Sequence, residues 1–329
     1  MRKIAAQYIF PLNSQSPVRR GTLTLDNDGT ILETGVLEDE TESTEFYNGI
    51  LIPGFVNSHC HIELSHLKGH FAKKTGMAGF ISQIRELRYV ADENGRSEAI
   101  AAEMEKLYNS GVSAMADISN SSESFEAKSR SKMYTRTFLE VFGSEEADMP
   151  KIMSSVRELT RLAAEFGIEA APTPHSCYTM SPSLLRESSS DAIKAGWLSY
   201  HNQESWEEEE LVIKGSGPLH NDYKSRGLST PPVTGKPSLF YFLDIINSIK
   251  GEIEEKILLV HNTYTDEQSV RFAIERLKNL YWAVCPLSNL FIHDALPPLD
   301  LLRRLNANIT LGTDSLSSND TLSMVDRKS

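Results

Sequence analysis

Apolar and polar positions along the first fifty residues fall into short runs at 4–10, 21–25 and 31–36, and Asp26-Asn27-Asp28-Gly29 separates the last two. An Asp-Gly pair between two alternating runs predicts a hairpin. After Pro53 the rhythm changes. Short β-like runs at 50–56, 112–117, 134–141, 168–171, 196–201, 257–261, 281–285 and 308–313 alternate with longer amphipathic stretches. Those stretches predict helices over 79–90, 97–109, 151–166, 238–249, 266–278 and 299–305. About eight strands alternating with helices favour an α/β fold, a closed (β/α)8 TIM-like barrel over 51–329, behind a small β-sandwich portion over 1–50. An open doubly wound sheet is the alternative, because alternation alone does not prove closure. No Gly-rich phosphate loop follows the first run, which weakens a dinucleotide-binding reading. Residues 215–237 are rich in Gly, Pro and Ser and read as a loop near a site entrance.

Composition narrows the partners. A formal charge of −12 over 329 residues argues against general nucleic-acid binding and leaves a small-molecule substrate open. The apolar share of 40% and charged share of 24% are those of an ordinary soluble chain. Cys60, Cys177 and Cys285 form no CxxC pair, so they read as packed, free thiols in a reducing cytosol. The N-terminus lacks a sustained apolar stretch, and no run approaches the roughly 20 apolar residues of a membrane span. The expectation is a cytoplasmic protein with no membrane partner; a homo-oligomer stays open.

The polar residues that close the apolar runs carry the candidate chemistry. Four of the nine histidines lie in PGFVNSHCHIELSHLKGH, at 59, 61, 66 and 70. Residues two apart on a strand face one way, so His59 and His61 can share a ligand while Cys60 points elsewhere. Later runs end near His175, at His201 with Glu204 three residues on, at His261, and at Asp314. In a barrel these ends converge on one mouth. Three imidazoles and a carboxylate from separate strands suit a catalytic zinc or iron site with a position left for water. Glu63 and His175 are candidates for substrate contact from that mouth. His66 and His70 read as loop polar groups, and Glu207 to Glu210 as a solvated helix surface. Ser288 and Asn289 shape the loop after the seventh run. Arg136 either faces substrate or pairs with an acid.

Taken in order, PGFVNSHCHIELS, HNQES, LLVHNT, CPLSN and GTDSLSSN resemble the successive motifs of the amidohydrolase superfamily. Within it they are most similar to the cytosine, guanine and S-adenosylhomocysteine deaminases and their chlorohydrolase relatives. The resemblance implies that His59, His61, His201 and Asp314 bind one divalent metal ion, zinc before iron. It further implies that His261 touches the metal-bound water and that Glu204 shuttles protons; Asp314, besides ligating the metal, can accept a proton. Binuclear ring-opening members carry a lysine at the end of the fourth strand; His175 in that region favours one metal. The implied reaction is hydrolytic release of ammonia from an aminated heterocycle, a purine-like base or nucleoside derivative, by metal-bound hydroxide. A cyclic amidohydrolase, a chlorohydrolase and an inactive truncated family member are the alternatives. Family members generally continue beyond the last barrel strand, so the expectation is a C-terminally truncated barrel with an incomplete N-terminal β-domain.

Overall fold

The computed structural model describes residues 1–12, 16–38 and 43–325. Two units separate, Met1–Phe55 and Val56–Ser329. In the first, β1 (Arg2–Ile9) is flanked by β2 (Val18–Arg19) and β3 (Gly21–Leu25) on antiparallel pairings, and by β5 (Thr44–Leu51) in parallel. β4 (Ile31–Val36) completes a hairpin with β3. The Asp26–Gly29 turn forms as expected: the Asp26 side chain accepts from the Asp28 amide, and Gly29 takes the left-handed φ of 92° that a side chain would resist. Ile31, Val36, Phe46, Tyr47 and Ile50 leave their side chains exposed on this unit. The run 50–56 is therefore not one strand: β5 stops at Leu51, and a new strand starts at Phe55 after Pro53 and Gly54.

The second unit is an α/β fold. One four-stranded sheet has the order β6 (Phe55–Cys60), β7 (Val112–Ser119), β8 (Tyr134–Val141), β9 (Glu169–Pro174). The other has the order β10 (Trp197–Asn202), β11 (Ile253–His261), β12 (Leu277–Val284), β13 (Asn308–Leu311). Pairing is parallel from β7 to β9 and throughout the second sheet. Parallel strands buried on both faces need continuous apolar runs. β11 shows this: Ile257 and Leu259 join the large core beneath the helices, while Leu258 and Val260 pack with Ala283 and Cys285 on the other face. Hydrogen bonds link the two sheets at both edges. The amides of Thr313 and Asp314 donate to the His59 carbonyl, and the His201 amide donates to the His175 carbonyl.

Helices differ more from expectation than strands do. Pro182–Lys194 is a helix that its serine-rich sequence conceals; Ser181 caps it, and Ser188 and Ser189 are small enough to be buried beside Leu184 and Leu185. The segment 215–237 is not all loop, because Gly217–Ser225 is helical with a proline in its first turn. The stretch 266–278 yields a helix only over Glu267–Ile274, and β12 begins at Leu277. No helix among the described residues is long and apolar enough to cross a membrane.

One buried ion pair ties the frame to the start of the site. Lys128 Nζ lies 2.5 Å from Asp117 Oδ2, both side chains essentially inaccessible. Asp117 Oδ1 accepts from the Ile62 amide at 2.8 Å, fixing the chain just after His61. Asp117→Ala strands a buried ammonium and a buried amide, so we expect a loss on the order of 3–5 kcal/mol in urea denaturation. A midpoint equal to wild type would contradict this.

Candidate metal centre

β6 delivers His59 and His61, β10 delivers His201, and these three side chains, all buried, offer ligand atoms within 4.8 Å of one another. Ring centroids of His59 lie 5.0 Å from His61 and 4.9 Å from His201. Asp314 completes the group, with Oδ1 3.7 Å from His61 Nε2 and 3.9 Å from His59 Nε2. It arrives through an isolated parallel bridge between Cys60 and Asp314. Gly312 makes that approach feasible, since a Cβ there would sit 2.7 Å from His59 Cβ and 2.9 Å from the His59 carbonyl oxygen. Asn57 latches the same edge, giving its amide to Thr313 Oγ1 and accepting from the Thr313 backbone.

Backbone strain aims several of these residues. Alternation along β11 would send His261 to the face of Ile257 and Leu259, under the helices. Instead His261 adopts φ 69° and its ring lies 5.3 Å from that of His201. Asp314 (φ 59°), Asn262 (φ 58°) and Gln203 (φ 43°) share the left-handed conformation, sparsely populated for non-glycine residues. Such residues persist only where surrounding bonds over-determine them. Here Asn289 Oδ1 pairs with His261 Nδ1 at 3.0 Å, and Ser288 and Ser318 donate to Asp314 Oδ2. Ser288 and Asn289 thus do more than shape a loop: they orient two site residues from the helix Pro286–His293.

Burial dominates the electrostatics. It lowers the pKa values of His59, His61 and His201, which leaves those imidazoles neutral. For Asp314 burial opposes ionisation, but His61, His261, His59 and the Ser288 hydroxyl outweigh it and draw the pKa down to about 2. Glu204 is raised by burial, sits 3.4 Å from His261 Nε2, and accepts from the Tyr178 hydroxyl at 3.2 Å. His59 is buried with no hydrogen-bond partner at either ring nitrogen. Two unsatisfied nitrogens on a neutral, wholly buried imidazole, set beside His61, His201 and Asp314, fit a metal ligand. His59, His61, His201 and Asp314 could hold one cation, a nitrogen-rich set suited to zinc or iron(II).

The remaining expected residues fall in different places. His175 stacks on His201 at 4.4 Å, and its Nδ1 is within hydrogen-bond reach of Ser176 and Thr179. Glu63 is buried with both oxygens engaged, by Arg88 Nη2, the Asn120 amide and the Ser121 hydroxyl. His66 bonds the Arg88 carbonyl and His70 is exposed. Arg136 pairs with Glu169 at 3.4 Å, the acid-pairing alternative.

The acidic run is the main correction. Glu207 and Glu208 are buried, not solvated. Glu208 accepts from the amides of Gln203 and Glu204, and Glu207 from those of Met77 and Ala78. Amphipathic spacing could not separate them from a solvated face. Glu140 was also missed; Oε1 lies 3.3 Å from His201 Nδ1, and burial pushes its pKa up to about 8. The available signal was a lone acid in the apolar run FLEVF at a strand's C-terminal end. Glu140 also borders a cavity of about 390 Å³ whose other walls include Asn120, Phe142 and Ile152.

Burial, followed by Glu209, raises the Glu208 pKa to about 8, against 4.5 for a free carboxyl. The folded protein then holds a proton that the unfolded chain releases, so this contribution is full below about pH 4.5 and is lost as pH rises through about 8. Wild type should lose stability relative to Glu208→Gln between pH 5 and 8, read by denaturant midpoints. A difference independent of pH would contradict this.

Comparison with known proteins agrees with the geometry. The profile of the Amidohydrolase family matches residues 50–328. The aminodeoxyfutalosine deaminase of a Nitratiruptor species is 28% identical over 284 residues, covering 84% of this chain and 66% of that protein. The 5-methylthioadenosine/S-adenosylhomocysteine deaminase of Halobacterium salinarum is 26% identical over 325 residues, covering 96% and 69%. The chain thus spans about two thirds of the length of these relatives. The crystal structure of Helicobacter pylori aminofutalosine deaminase with methylthio-coformycin superposes with a TM-score of 0.83 at 24% identity, over 98% of this chain and 79% of that one.

Proposed function

The chain belongs to the amidohydrolase family, and on that premise we propose that it is a metal-dependent hydrolytic deaminase releasing ammonia from an adenosine-like nucleoside or related purine derivative. The observation that carries this reading is the convergence of three buried, neutral imidazoles with Asp314 beside the Glu204–His261 pair. His59, His61, His201 and Asp314 would hold one divalent ion, zinc by preference of the donor set. Such an ion, when bound, makes water acidic enough to serve as a nucleophile at neutral pH. The eight strands form a closed TIM-like barrel, which puts these residues at its C-terminal mouth.

The chain's own residues move the protons. Glu204, raised by burial, is suited to take one proton from the attacking water to the ring nitrogen, and then to pass the remaining proton of that water to the departing amine. Water and the amino-substituted carbon exchange into a carbonyl and ammonia, with no redox partner. Tyr178 fixes one oxygen of Glu204. His261, tied by Nδ1 to Asn289, presents Nε2 to the reacting oxygen. His175, with Nδ1 held by Ser176 and Thr179, keeps its other nitrogen for substrate. Glu63 acts on substrate only at a distance, through Arg88 and Asn120, because its oxygens are engaged. The relatives' named substrates support a purine nucleoside with a modified 5′ end. Three buried free thiols support a cytoplasmic location.

Purified protein should carry about one zinc-like ion per chain, and His59→Ala and Asp314→Ala should each empty the site; equal metal in all three proteins would remove the assignment. Glu204→Gln should keep the ion and lose on the order of 10²- to 10⁴-fold in ammonia release. The substrate panel comprises 5′-substituted adenosines, free aminopurines and a chlorotriazine. Chloride release without ammonia would replace the deaminase reading with a chlorohydrolase.

A further inference from the structure

We propose that Glu140 is a positioning residue for the metal centre: its carboxyl group accepts from His201 Nδ1, fixes the tautomer, and leaves Nε2 as the lone-pair nitrogen. The inference rests on His201 being a ligand.

Glu140 lies on β8, in the sheet that does not contain His201. Leu139 and Val141 on either side join the core beneath the helices, so Glu140 projects from the opposite face. Its Oε1 is buried, has no hydrogen-bond partner meeting strict geometry, and is 3.3 Å from His201 Nδ1. The His175 carbonyl, at the same 3.3 Å, is the oxygen that forms a hydrogen bond with that nitrogen, and Glu140 Oε1 stands beside it. Two oxygens facing one ring nitrogen mark it as the N–H donor, which assigns the other nitrogen to ligation. Either protonation state of Glu140 leaves an oxygen able to accept.

The carboxyl is itself held. Asn120 Nδ2 donates to the Glu140 carbonyl at 2.9 Å and approaches Oε2 at 3.5 Å. Asn120 is fixed in turn by its backbone N–H, which donates to Glu63 Oε2, and by Arg88 Nη2, which donates to its Oδ1. A continuous chain, Glu63–Asn120–Glu140–His201, therefore runs from the segment after His61 to the ligand on β10. Through Asn120, Glu63 thus reaches the metal ligand as well as the substrate side. An acceptor behind a ligating imidazole fixes ring orientation and raises basicity.

The test measures zinc affinity by chelator competition on metal-stripped, refilled protein, with melting of the metal-free forms as the control for folding. Glu140→Ala should weaken zinc binding roughly 10- to 100-fold. Glu140→Gln, isosteric and still offering an oxygen, should weaken it measurably but less. The visible absorption of cobalt-substituted Glu140→Gln should shift from wild type, which carries the test even if the alanine variant does not fold. Unchanged affinity and an unchanged cobalt spectrum would overturn the proposal. So would a raised KM with metal affinity intact, which would make Glu140 a substrate contact on the adjoining cavity. Wild-type protein with no measurable zinc affinity would instead overturn the metal reading itself.

Discussion

Four imidazoles and three carboxyl groups, those of Glu140, Glu204 and Asp314, crowd the ends of parallel strands where almost no water reaches. Each polar group buried there destabilises the fold unless something answers it, and the cost is greatest for a charge. Much of the surrounding architecture follows from that demand. Ser288 and Ser318 serve Asp314, Asn289 serves His261, and Tyr178 serves Glu204. His59 at both ring nitrogens and Glu140 at Oε1 are left without a hydrogen bond, and both lie against His201 at the centre.

The same demand explains the acidic run. Gln203 takes a left-handed backbone between β10 and the helix Trp206–Lys214, so the amides at 203 and 204 cannot enter a regular ladder. Glu208 accepts from both. Ser238 donates to Glu208 in turn, tying the loop to the helix Ser238–Ile249. Glu207 meanwhile caps the start of the helix Gly76–Leu87 by accepting from Met77 and Ala78. Acids that look like solvent-facing charge are therefore internal fasteners. They hold Glu204 where it can reach His261.

Strain and support are coupled at the second sheet. His261 and Asp314 both occupy left-handed backbone, and both are gripped by neighbouring residues of one short helix, through Asn289 and Ser288. Gly312 lets the last strand press against His59 with no side chain between. These features lie on segments far apart in sequence that meet only in the fold.

Strand-helix alternation, the family motifs and the histidines of β6 and β10 can be read from residue order alone, because these follow from local rules. Apolar runs mark buried strands, and two-residue periodicity puts His59 and His61 on one side. Boundaries were less legible: Pro53-Gly54 broke a run that reads as continuous, and serines hid the helix Pro182–Lys194. That His261 faces His201 against its strand's alternation emerges only in the folded chain, since a single positive φ reverses it. Only the fold could separate Glu204, Glu207 and Glu208 by partner, or bring Glu140 across to His201. In each case the deciding partner is supplied by a distant segment, and local sequence carries no record of which amide or imidazole will arrive.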